Sequence, residues 1–273
     1  MTDRMTHLAA ARQAAEEAGQ LLLSYYGSLE PWEVEEKGRN DVVSKADRES
    51  EDLCRQILLG AFPKDSFLGE ESGASSADWG EAVWIVDPLD GTANFVRGFP
   101  HWCVSIARVE ESPDGPIHTA VIWDPVKEDL FWAVRGKGAF RNGRRIHVPP
   151  RSGLPGAALA TGFPFRQHRK IDTYLKVFKA VFLSVQSLRR AGSAALDLAY
   201  TATGIFDGFF EFGLSRWDTA AGALIVTEAG GMVSDFSGGD KWRERGNLVA
   251  ASPGVHTALL ELVAKEGIAE QAL

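Results

Sequence analysis

The run Val83-Trp84-Ile85-Val86-Asp87-Pro88-Leu89-Asp90-Gly91-Thr92 sets two carboxylates three positions apart at the end of an apolar stretch. Val83 to Val86 read as a buried strand. Pro88 has no N–H to give to a sheet, so pairing is expected to stop there and the chain to turn. Asp87 then stands at a strand end and Asp90 in the turn, with the Leu89 carbonyl released from the sheet. Carboxylates joined by a carbonyl oxygen, waters and a phosphate are what Mg²⁺ and similar hard cations take in near-octahedral geometry. Gly91 permits close backbone approach, and the Gly91 and Thr92 amides at the start of a helix can donate to a phosphate, aided by the helix dipole. Asp, Pro and Gly are also ordinary turn formers, so the run taken alone fits a surface turn as well.

More acids stand where elements begin or end. Gly69-Glu70-Glu71-Ser72 follows the short apolar stretch Ser66-Phe67-Leu68, as a strand end or as a solvated acidic turn. Arg216-Trp217-Asp218-Thr219-Ala220-Ala221-Gly222 opens a helical pattern whose first turn holds Asp218, a position that also suits a cap. Asp41 and Asp47 precede a helical pattern from Arg48 to Phe62, and Asp47 as helix cap is the plainer reading there.

Together, Gly-Glu-Glu-Ser at 69–72, Asp-Pro-Leu-Asp-Gly-Thr at 87–92 and Trp-Asp-Thr-Ala-Ala-Gly at 217–222 resemble the inositol monophosphatase family in wording, order and spacing. Leu188-Arg189-Arg190-Ala191-Gly192-Ser193-Ala194-Ala195-Leu196-Asp197 and Asp207-Gly208-Phe209-Phe210-Glu211 resemble its bacterial branch. The resemblance spans roughly residues 5–265 and implies the five-layer α-β-α-β-α sugar-phosphatase fold with its site between two halves. It implies Glu70, Asp87 and the Leu89 carbonyl as ligands of one Mg²⁺, and Asp87, Asp90 and Asp218 as ligands of a second. The resemblance also implies a third, weaker ion near Glu70, Mn²⁺ as a substitute for Mg²⁺, and inhibition by Li⁺ and Ca²⁺. The implied reaction is in-line attack of a metal-activated water on a phosphate monoester, without a phosphoenzyme. Thr92, hydrogen-bonded to Asp47, positions the water, Glu70 shares in activation, and Gly91 and Thr92 bind phosphate. Asp90, Gly192, Ser193, Ala194 and Glu211 are the implied substrate contacts. Ser193 also reads as the cap of a helix over 194–203, and Glu211 among Phe209, Phe210 and Phe212 needs a partner if buried. Lys37 to Asp47 corresponds to a mobile loop completing a metal site, with Ser44 where many relatives carry Thr. Zinc is disfavoured, because no His or Cys belongs to the cluster.

The elements that must position these groups follow from the pattern. A helix is expected from the N-terminus to about Tyr26, a strand from Trp32 to Glu36, and a helix around 46–62. Short strands are expected at 66–69, 82–87, 103–109, 117–123 and 129–134, with a hairpin turn at Asn142-Gly143. Beyond 148–155 helices near 168–184, 193–203, 217–229 and 253–266 alternate with strands near 157–161, 186–190, 206–212, 231–235 and 247–251. This is sheet-plus-helix layering in both halves, divided into residues 1–150 with most metal ligands and 151–273 with Asp218 and substrate contacts.

The chain has 273 residues, 45% hydrophobic and 24% charged, in the range of ordinary globular proteins. A net charge of −8 with no basic block argues against direct nucleic-acid binding. Cys54 and Cys103 have no metal-ligand or CxxC spacing and fit a reducing cytoplasm as small buried hydrophobes. No run approaches 18 apolar residues, and Met1 to Gln20 lacks the layout of a signal peptide, so neither a membrane span nor secretion is expected. The expected substrate is myo-inositol 1-phosphate or a similar small-molecule phosphate monoester. Fructose 1,6-bisphosphate, 3′-phosphoadenosine 5′-phosphate and histidinol phosphate are its rivals. The resemblance implies lithium sensitivity and a homodimer, and allows a partner in a transcription complex, with Arg189 and Arg190 at an interface or in salt bridges.

Overall fold

The structure is a computed structural model that describes residues 2–28, 34–38, 41–75, 79–165 and 167–266. In the first half, α1 (Thr2–Tyr25) leads to the hairpin β1 (Val34–Gly38) and β2 (Asp41–Ser44), then α2 (Lys45–Ala61). Next come β3 (Ser66–Gly69), β4 (Gly73–Ala74), β5 (Ala82–Asp90) and the single turn α3 (Thr92–Val96). A meander follows: β6 (Cys103–Glu110), β7 (Ile117–Asp124), β8 (Asp129–Val134), β9 (Gly138–Arg141) and β10 (Arg144–Ile146). These strands form an eight-stranded sheet in the order β10-β9-β8-β7-β6-β5-β3-β4.

The second half runs β11 (Ala158–Thr161), α4 (Ile171–Phe182), β12 (Ser187–Arg189), α5 (Ala194–Thr203), β13 (Gly208–Glu211) and α6 (Arg216–Glu228). It ends with β14 (Met232–Ser234), α7 (Trp242–Arg245), β15 (Leu248–Ala251) and α8 (Pro253–Lys265). Its sheet has the order β12-β11-β13-β15-β14.

Side-chain alternation along the strands builds the layers. On β5, Trp84 and Val86 pack into a core with α1 and α2, while Val83 and Ile85 face the opposite core with α5 and α6. On β13, Phe209 joins that central core and Phe210 points away into a third, shared with Tyr174, Val177 and Val181 of α4 and Val255, Leu259 and Val263 of α8. The order is therefore α1/α2, large sheet, α5/α6, small sheet, α4/α8, the five layers the resemblance implies. Both sheets are covered on both faces, which is why β5 is buried at every position and reads as a continuous apolar run.

Three expectations are corrected. β5 does not end at Pro88. Asp87 pairs with Ser105 and Asp90 with Cys103, so one extra residue bulges out at the proline and pairing resumes beyond it. Asp90 is thus in the strand, not in a turn. The segment 37–47 is not one loop: Asp41–Ser44 is a strand paired with β1, and 45–47 is the first turn of α2, capped by Ser44 rather than by Asp47. Trp32 and Glu33 of the expected strand, and Arg39 and Asn40 within the expected loop, lie outside the described residues. Among the described residues, no helix is long and apolar enough to cross a membrane.

Candidate active site

The bulge at Pro88 and Leu89 brings Asp87 and Asp90 to the same edge of the large sheet. With Asp218, at the third position of α6, they present carboxylate oxygens that lie within 4.8 Å of one another. Each is held from behind. The Leu89 amide donates to Asp87 Oδ1 at 3.0 Å. Ser193 Oγ and the Ala195 amide donate to Asp90 Oδ2 at 2.6 and 2.7 Å. The Ser215 amide donates to Asp218 Oδ2 at 2.6 Å, closing a capping box in which Ser215 is the cap. Capping and site geometry are served by one side chain: the cap aims the second carboxylate oxygen.

Charges of one sign crowded in a buried place resist ionisation. Burial, then Glu70, Asp90 and Asp218, push the Asp87 carboxyl well above the usual carboxylate range. Burial raises Asp90 to about 6 against the hydrogen bonds from Ser193 and Ala195, with Glu70 adding to the rise. Glu70 stands outside the three-carboxylate group and reaches it through its field.

Asp47 is a fourth anchored acid. Ser44 donates to Asp47 Oδ2 through its amide (2.9 Å) and its hydroxyl (2.6 Å), while Thr92 Oγ1 reaches Asp47 Oδ1 at 2.9 Å and the Leu89 carbonyl at 3.1 Å. Both acceptors compete for the single Thr92 proton, so the hydroxyl's lone pairs are left for a donor from the cleft. Gly91 precedes Thr92 with φ of 99°, and a Cβ there would stand 3.0 Å from the His101 carbonyl, so glycine is required on both counts.

Glu70 sits on a loop fixed by a residue that sequence reasoning missed. Glu51 of α2 is buried and accepts the Glu71 and Ser72 amides at 2.8 and 3.0 Å, while Arg55 pairs with it at 3.2 Å. Gly69 packs directly on that carboxylate. In the sequence, Glu51 and Arg55 look like any exposed i,i+4 helix pair.

A cleft of about 900 Å³, open to solvent, connects this cluster to a second wall made by α5 and the small sheet. Gly192, Ser193, Ala194 and Glu211 all line it, as do Gly91 and Thr92. Ser193 also caps α5, accepting the Leu196 amide at 3.3 Å. Asn94 ties the two walls together: its Nδ2 donates to the carbonyls of His101 (2.7 Å) and Ala191 (2.9 Å). Arg190 lies over the rings of Phe163 and Phe165, 5.6 and 5.2 Å from their centroids, and lines the cleft rather than standing apart from it. Asn94 and the two phenylalanines were not singled out as site residues, since an amide and exposed aromatics carry no spacing signal.

The donor set fits divalent cations. Among the described residues lining the cleft are six carboxylates (Glu70, Asp87, Asp90, Asp197, Glu211, Asp218) and one guanidinium, that of Arg190. The three that converge, Asp87, Asp90 and Asp218, are all buried. All-oxygen donors select hard ions over zinc or copper. Cys103, buried beside Ser193, has its thiol pushed up by burial and by the Asp90 charge, and is no ligand candidate.

The sequence matches the inositol monophosphatase family over residues 3–268. A relative from Pseudomonas aeruginosa, Nus factor SuhB, is 44% identical over 93% of this chain and 94% of its own. The solved structure of extragenic suppressor protein suhB from Bartonella henselae matches with a TM-score of 0.88 and 41% identity, covering 94% of this chain and 98% of that one. An inositol monophosphatase from Anabaena (Nostoc) matches with a TM-score of 0.85 and 35% identity, over 96% of each chain. Family match, shared fold and an acidic cleft suited to cations agree: the chain belongs to the inositol monophosphatase family, whose members are metal-dependent phosphatases.

Proposed function

We propose that this protein is a Mg²⁺-dependent phosphatase acting on myo-inositol 1-phosphate or a similar polyol phosphate. The observation that carries this reading is the convergence of the buried Asp87, Asp90 and Asp218 oxygens within 4.8 Å at an acidic cleft. Asp87, Asp90 and Asp218, with Glu70 and the Leu89 carbonyl, would hold the ions. Bound there, such ions neutralise phosphate charge and make water nucleophilic near neutral pH. The chain's own part is positioning. Thr92 donates its hydroxyl hydrogen bond to Asp47 or the Leu89 carbonyl and accepts a hydrogen bond from the attacking water. Asp47, pinned by two bonds from Ser44, fixes where that acceptor points. The Gly91 and Thr92 amides face the phosphate, and Gly192, Ser193, Ala194, Asp90 and Glu211 contact the polyol. In this reading residues 1–150 provide most of the ion site and 151–273 add Asp218 and the polyol wall.

Proton competition tests the ion site without turnover. Because Asp90 is raised from 3.8 to about 6 in the fold, the ion-free fold keeps a proton that the unfolded chain has released. Its stability therefore falls as pH rises through that window. Mg²⁺ binds the ionised carboxylates and opposes that loss. Saturating Mg²⁺ should raise the melting temperature by about 5 °C at pH 7.5 and by much less at pH 5.5. Equal shifts at both pH values would contradict the assignment of these carboxylates.

A second reading is favoured by one finding, the naming of the Pseudomonas aeruginosa relative as a Nus factor. It holds that the protein also joins a transcription complex, as a homodimer or through its surface. The two readings separate experimentally, because Asp87→Asn should abolish turnover and leave such binding intact.

A further inference from the structure

One buried acid in the cleft wall has no part in the account so far. Asp197 is the fourth residue of α5, is 1% exposed, and lines the cleft. Its neighbours along the helix, Ala194, Ala195, Leu196, Leu198 and Ala199, are all buried and apolar. Among the described residues its Oδ1 has no hydrogen-bond partner. A carboxyl buried with an unbonded oxygen is costly, and such a group calls for an explanation.

Two candidate partners fail on distance. His101 Nε2, itself without a hydrogen-bond partner among the described residues, faces Asp197 Oδ1 at 3.8 Å, too long for a hydrogen bond. Asp197 is also outside the set of carboxylates that converge within 4.8 Å, so it does not belong to the ion cluster. Asp197 also lines the cleft, so its carboxyl group has His101 on the Oδ1 side and the cleft beside it. One helical turn separates Asp197 from Ser193, whose hydroxyl holds Asp90, so the two residues share a face of α5. That face extends the acid wall away from the ion cluster, towards Glu211. His101 stands behind, fixed by the bond from Asn94 to its carbonyl and by the Tyr200 ring at 5.9 Å.

We propose that Asp197, backed by His101, is a substrate-positioning residue that hydrogen-bonds a polyol hydroxyl remote from the phosphate. A hydroxyl both donates and accepts, so it satisfies this carboxyl in either protonation state. The proposal rests on the polyol-phosphate reading above and deepens it.

The test measures kcat and KM separately for wild type, Asp197→Ala, Asp197→Asn and His101→Gln. The substrates are myo-inositol 1-phosphate and 4-nitrophenyl phosphate, an ester without a polyol. Asp197→Ala should raise KM for the inositol ester about tenfold, the loss of one hydrogen bond at a buried position. It should leave kcat/KM for the nitrophenyl ester within about twofold. Asp197→Asn, which keeps the hydrogen-bonding shape, should recover most of the loss, and His101→Gln should raise the inositol KM several-fold. Equal losses on both esters would reduce Asp197 to a structural residue and overturn the proposal, as would an unchanged inositol KM. If Asp197→Ala does not fold, the His101→Gln split decides alone. Failure of the underlying reading shows differently: wild type itself would not turn over the inositol ester.

Discussion

Replacing Asp87 by Asn is expected to lower turnover of a phosphate ester by at least a thousandfold, equivalent to about 4 kcal/mol of transition-state stabilisation. The fold should not suffer. Asn keeps an oxygen that accepts the Leu89 amide now bonded to Asp87 Oδ1. It also removes one charge from a set in which Glu70, Asp90 and Asp218 all oppose ionisation of Asp87. Ion-free Asp87→Asn should therefore melt at or above the wild-type temperature, while the shift on adding Mg²⁺ should vanish. Turnover within tenfold of wild type, or an unchanged Mg²⁺ shift, would remove Asp87 from the centre of the site.

The second large effect is expected from a methyl group. Gly69→Ala puts a Cβ into the space of the Glu51 carboxylate. A free side chain would swing aside, but this one holds the Glu71 and Ser72 amides and pairs with Arg55. Displacing it releases the loop that carries Glu70. Overpacking of this kind costs about 1–3 kcal/mol. Displacing a positioned group by an ångström costs up to about a hundredfold in rate. Urea unfolding and kcat/KM should thus both fall, with Glu51→Gln milder because its amide still accepts one of the two bonds. Gly69→Ala with wild-type stability and rate would show that Glu51 does not position Glu70.

What the sequence revealed follows the physics of each element. The four long helices of the second half were legible to within a few residues, because Ser193 and Pro253 mark starts among them and amphipathic or apolar patterning runs through them, whereas the single turn α7 (Trp242–Arg245) is too short to carry a pattern. The Asp87–Asp90 pair was legible because carboxylates rarely end a buried apolar strand. The bulge was not: a proline says that an N–H is missing, not that the strand resumes two residues later. The β1–β2 hairpin was hidden because Asp41–Ser44 is only four residues long and runs straight into α2. Glu51, Asn94 and the His101–Asp197 contact were invisible for a common reason. Each acts across a long stretch of chain, and nothing in its local neighbours distinguishes it from a solvated helix charge or a buried polar group.

The most direct test of the account is phosphate release from myo-inositol 1-phosphate by the wild-type protein, with Mg²⁺ and with EDTA, beside fructose 1,6-bisphosphate and 3′-phosphoadenosine 5′-phosphate. The account predicts strong release from the inositol ester that requires Mg²⁺ and stops with EDTA. Release undiminished by EDTA, or none from any ester by folded protein, would contradict it.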